Sequence, residues 1–164
     1  MAIWQIALWG IGAVLVVRYF LRMRGQGSRI QALWAQATRA YEGGDYHTAI
    51  TGFDAAVRMS PTFAPARRMR GRTYMQLGEY AHAEEDFRMA AALEPRNAEG
   101  YIDLGFFLAT CPPPREDEAI DAFESAVAYA PRMRNDLAQA PQLAHLRNHP
   151  RFAALVDDAV SPED

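Results

Sequence analysis

The chain has 164 residues, half of them apolar and 23% charged, with a net charge of −3; such a composition belongs to a folded protein rather than a disordered one, and its balance gives no reason to bind nucleic acid. All 17 residues of the Lys and Arg class are arginine, which excludes Schiff-base chemistry and a phosphate-loop lysine and points to a GC-rich, bacterial coding sequence. Cys111 is the single cysteine, so no internal disulfide can form, in keeping with a reducing cytoplasm.

The run from Met1 to Val17 carries no charged residue and is dominated by Ile3, Ile6, Leu8, Ile11, Val14, Leu15, Val16 and Val17. At roughly −0.3 to −0.6 kcal/mol each, these favour bilayer insertion by about 4 kcal/mol. Arg18 stands at the end of the run, where its side chain can snorkel to the headgroups. Residues 1–22 are therefore expected to form a transmembrane anchor. A cleaved secretion signal fits poorly, because the bases follow the apolar run and no small-x-small site appears. Arg18, Arg22, Arg24 and Arg29 all lie on the C-terminal side and are expected at the membrane surface. By the positive-inside rule the N-terminus is expected outside and the remainder in the cytoplasm, as a single-pass protein of the bacterial inner membrane. Gly10 and Gly12, with Ala7 and Ala13, would let another helix approach the span. Residues 23–29 read as a short linker spanning at most roughly 20 Å, with Ser28 as helix N-cap.

Beyond the linker the sequence repeats. Gly44-Asp45-Tyr46, Ala49, Phe53, Ala56 and Pro61 recur as Gly78-Glu79-Tyr80, Ala83, Phe87, Ala90 and Pro95, an offset of 34 residues, and then as Ala119, Phe123, Ala126 and Pro131, an offset of 36. Such a period describes a helical hairpin that cannot bury its apolar face alone and stacks on its neighbours. Gly71 and Gly105 offer a notch on each first helix, the alanines take the close crossing, and the phenylalanines fill the space between repeats. Each proline ends its second helix. The third turn, Cys111-Pro112-Pro113-Pro114-Arg115, is two residues longer and is expected to be a tolerated surface insertion.

At these spacings the chain resembles the tetratricopeptide repeat (TPR) family. The resemblance implies an all-α fold: a three-repeat solenoid over 30–133 (30–63, 64–97, 98–133) following the anchor. It is followed by a segment at 134–160 that caps the last repeat, and by a disordered tail at 161–164. It also implies that the first helix of each repeat lines a partner-binding groove: Trp34, Thr38 and Tyr41 from the first, Arg68, Arg72 and Met75 from the second, and Glu99, Ile102, Asp103 and Phe106 from the third. Family members that bind heat-shock chaperone tails hold a terminal carboxylate with Lys, Asn and Arg. The matching places here are Trp34, Thr38, Met69, Glu99 and Asp103, so that clamp is not expected. Arg67, Arg68, Arg70 and Arg72 suggest instead an acidic or phosphorylated partner segment, weighed equally against a basic face that pairs with neighbouring acids.

No G-x-S-x-G, H-E-x-x-H, C-x-x-C or phosphate-binding loop occurs, so neither catalysis, a cofactor, a metal nor a small-molecule substrate is expected. His145 and His149 lie four apart, but Pro150 follows and no third ligand is in evidence. His47 and His82 are expected to be exposed polar positions. The expected function is a membrane-tethered scaffold that binds other protein subunits, through the groove and through the span in the lipid bilayer. It would serve as an accessory subunit on the cytoplasmic side of a larger inner-membrane complex of respiratory or photosynthetic type. The alternative is a transient assembly factor for membrane or periplasmic complexes.

Overall fold

The computed structural model describes residues 27–157, and all regular structure among them is helical. Helix α1 covers described residues 27–42. It is followed by α2 (Tyr46–Met59), α3 (Ala64–Gln76), α4 (Tyr80–Leu93), α5 (Ala98–Thr110), α6 (Glu116–Tyr129) and α7 (Met133–Gln139), then a 3-10 helix (Pro141–Asn148) and α8 (Pro150–Asp157). Ser28 lies within α1 rather than capping it.

Helices α1 to α6 form three hairpins whose turns follow from local sequence. Gly44 and Gly78 adopt φ of 79° and 75°, a conformation only glycine takes cheaply. This lets the amides of Asp45 and Glu79 reach back to the carbonyls of Ala40 and Tyr74 at 2.9 Å, closing the first helix of each hairpin. Asp45 then caps α2 by accepting from the Thr48 amide at 3.1 Å. In the third hairpin the same closure runs from the Arg115 amide to the Leu108 carbonyl at 2.9 Å, so the two extra residues are spanned without loss of the bond. Helices α2, α4 and α6 each stop two residues before Pro61, Pro95 and Pro131. The residues between, Ser60, Glu94 and Ala130, leave helical geometry but still donate to Ala56, Ala90 and Ala126, as the restriction on pre-proline residues requires.

The core is the repeated one. Ala49, Ala83 and Ala119 and Phe53, Phe87 and Phe123 are all inaccessible or nearly so. A methyl group added at Gly71 would touch the Phe87 ring at 3.0 Å, whereas one at Gly105 would collide with Phe123, 2.6 Å from Cδ1. The first hairpin reverses the roles: Ala37 occupies the notch, and Gly52 on α2 yields the space, with 2.7 Å between Ala37 Cβ and an added methyl. Leu137, Leu143, Leu146 and Phe152 from the C-terminal helices join the cluster around Phe107, Leu108 and Phe123. Arg151 bonds Asp121 at 2.6 Å and Glu124 at 2.9 Å on α6.

The expected membrane-spanning fold and single-pass inner-membrane location are corrected: among the described residues no helix is long and apolar enough to cross a membrane. The physical reason is length and polarity. The longest of α2 to α7 has 14 residues, about 21 Å, against a hydrocarbon core of about 30 Å, and each of these helices carries exposed polar residues. The segment 1–22 on which the span was placed lies outside the described residues. So do Arg18, Arg22 and Arg24, most of the linker 23–29, and the tail 161–164. Arg29 is exposed on α1.

Candidate interaction cleft and its ion pairs

Helices α1, α3 and α5, the first helices of the hairpins, come together around a cleft of about 210 Å³ lined by Trp34, Pro65, Arg68, Met69, Arg72 and Glu99. Trp34 is held by edge-on contacts to Phe53 and Phe63, both with ring centroids at 5.4 Å. Pro65 and Met69 stand one helical turn apart on α3, so they share a face.

Behind this lining, α3 and α5 are joined by charge. Arg68 Nε donates to Asp103 Oδ2 at 2.5 Å and Arg72 Nη2 to Asp103 Oδ1 at 2.5 Å, while Arg68 Nη1 pairs with Glu99. The Asp103 side chain is only 6% exposed, and Arg68 13%. Burial works against the charge of Arg68, but Asp103 and then Glu99 raise its pKa above the ordinary value. The hydrogen bond from Arg68 correspondingly holds Glu99 below the ordinary carboxylate range.

A second cluster ties α2, α3 and α4. Arg70 grips Asp86 with both Nε and Nη2, at 2.7 and 2.8 Å, and reaches Asp54 with Nη1 at 2.7 Å. Arg67 lies 3.5 Å from the same Asp86, whose side chain is 2% exposed. All four arginines of α3 therefore have acidic partners within the chain. Of the two readings weighed for them, the pairing face is the one the geometry supports.

The predicted groove residues divide. Trp34, Arg68, Arg72 and Glu99 line one cleft, with Asp103 bonded behind it. Thr38 is half-buried on α1. Tyr41 packs on Tyr46, centroids 5.6 Å apart. Met75, Ile102 and Phe106 lie half-buried against the core of the third hairpin, with Phe106 5.5 Å from Phe123. Pro65, which sequence reasoning missed, was detectable as the residue one turn before Met69. Among the described residues no group of three or more His, Cys, Asp or Glu side chains is placed to hold a metal ion. His149 Nε2 lies 3.5 Å from Asp117, and His145 is exposed.

Elsewhere Arg115 fastens the long third turn to α4, donating from Nη1 and Nη2 to the two oxygens of Glu84 at 2.9 and 2.7 Å. Those bonds, against partial burial and with help from Arg88, hold Glu84 below its ordinary pKa of 4.5. A carboxylate whose folded pKa is depressed contributes stability that is complete above its unfolded value and is lost as pH falls through the folded one. Thermal stability, followed by circular dichroism, is therefore expected to decline as pH is lowered below 4.5. In Glu84→Gln this acid-side decline is expected to be shallower.

A stack of helical hairpins with an apolar cleft on its first-helix face defines an α-solenoid. Within it, residues 64–97 match the tetratricopeptide repeat family model, and the chain is similar in sequence and in fold to proteins that carry that repeat. The chain is 25% identical over 104 residues to small glutamine-rich tetratricopeptide repeat-containing protein 2 of Mycosarcoma maydis, an alignment covering 63% of this chain and 29% of that protein. It thus spans less than a third of this curated relative's length. The TPR domain of Arabidopsis OM64 superposes with a TM-score of 0.65 at 19% identity, over 76% of this chain and 98% of that one. The first TPR domain of Spaghetti (RPAP3), solved with the HSP90 peptide SRMEEVD bound, superposes with a TM-score of 0.60 at 17% identity, over 82% and 95%.

Proposed function

We propose that the protein is a non-catalytic scaffold that binds a segment of another protein in the cleft formed by α1, α3 and α5. The observation that carries this reading is the juxtaposition, on one face, of an aromatic, a proline and a methionine with a rim of paired charges. Anchors of this kind dominate protein interfaces, and charged rims set register rather than affinity. The bound peptide in the Spaghetti structure supports a binding role for the same architecture. Service as a stable accessory subunit and service as a transient assembly factor would use the same cleft and differ in stoichiometry of recovery.

A photo-crosslinking residue placed at Met69 is expected to capture a partner. The same residue at Met89 on α4 or Tyr129 on α6, both exposed on second helices, is expected to capture little. Equal or stronger capture from those two positions would transfer the docking surface to the other face.

A further inference from the structure

We propose that the cleft selects an uncharged, apolar side chain of its partner and turns away carboxylates, because Asp103 and Glu99 already occupy the guanidinium groups that would receive one. This rests on the reading of the cleft as the docking surface and adds the chemistry of what docks. The charges at the site cancel: Arg68 and Arg72 face Glu99 and Asp103. The inner half of the network is closed to a newcomer, since Arg68 and Asp103 are both largely buried. A partner carboxylate could reach Arg68 only by displacing Asp103 and leaving it buried without its counter-ion, which is the costly way to break such a pair.

The outer half repels as much as it attracts. Arg72 is 43% exposed, but Glu99 beside it is 58% exposed and opposes an incoming carboxylate. What remains open is the apolar part, Trp34, Pro65 and Met69. Its volume of about 210 Å³ lies below the ~300–1,000 Å³ typical of small-molecule sites and suits one large side chain. Methionine and tryptophan are surfaces on which such an anchor packs well.

The test selects a random-peptide display library against the full chain and measures binding of the peptide SRMEEVD. Wild-type protein is expected to enrich peptides with a leucine, methionine or phenylalanine anchor and to deplete aspartate and glutamate. The Glu99→Gln/Asp103→Asn variant, with both guanidinium groups released, is expected to gain about tenfold or more in affinity for SRMEEVD, with a steeper salt dependence. Enrichment of acidic peptides by the wild type overturns the proposal, as does no gain in a folded double variant. If the double variant does not fold, Glu99→Gln alone, which alters a mostly exposed group, is expected to gain about threefold, and no gain there is equally fatal. Pro65→Asp, which places a carboxylate in the cleft at the helix N-terminus where it is tolerated, separates the two claims. Selected peptides that still bind this variant refute the cleft as docking surface. Acidic peptides that it rejects leave the cleft standing and refute only its selectivity.

Discussion

Truncation of Phe123 to alanine is expected to cost about 4 kcal/mol of folding stability, measured by chemical denaturation. The ring is wholly inaccessible. It fills the notch at Gly105 and stands 5.5 Å from Phe106 and 6.1 Å from Phe152. It therefore serves two interfaces at once, the one within the third hairpin and the one between that hairpin and the C-terminal helices. Stability in stacked repeats resides largely in nearest-neighbour contacts, so the loss should be unevenly distributed. Hydrogen exchange is expected to accelerate over 137–157 more than over 46–76. Uniform acceleration across both regions would mean that the hairpins unfold as one cooperative block and that Phe123 has no special place in the coupling.

The second large effect is electrostatic. Asp86→Ala is expected to cost about 3 kcal/mol, because it leaves Arg70 and Arg67, both mostly buried, without their shared counter-ion. Asp54→Ala removes a partner of the same Arg70, yet is expected to cost less than about 1 kcal/mol, since Asp54 is 30% exposed and water can replace it. Thermal melts of both variants distinguish a buried ionic joint from ordinary surface pairing. A cost for Asp86→Ala as small as that for Asp54→Ala would show the joint to be dispensable.

The hairpin repeat was legible in the sequence because it is written in residue size. Alanine at a close crossing and phenylalanine beside it recur with the period of the fold, and proline and glycine mark where helices must end. The first hairpin's notch was not legible by that rule, because Ala37 and Gly52 exchange the small-residue role across the interface and only the pair makes sense. The ion pairs were harder still. Arg68 meets Asp103 and Arg70 meets Asp86 across 35 and 16 residues, distances that no local pattern encodes. A trace was present nonetheless: Asp86 falls on the same helical stripe as Ala83, Phe87 and Ala90, and an acid on an apolar stripe calls for a buried cation. The groove was legible only in part, since the family spacing places residues on the correct helix but does not say how deeply each sits. Met75, Ile102 and Phe106 proved to be half-committed to the core. The apolar run at 1–22 led to a membrane-spanning fold that the described helices do not provide.

Helix α7 starts two residues after Pro131, about where α3 and α5 start after Pro61 and Pro95, but it has 7 residues where they have 13. The chain thus begins another unit and abandons it after two turns, folding Leu143, Leu146 and Phe152 back over the surface a further hairpin would have claimed. An array finished in this way cannot be lengthened by appending copies at its end. A longer version would have to be spliced internally, ahead of α5, with the α6 contacts of Arg151 and Phe152 retained as a terminus.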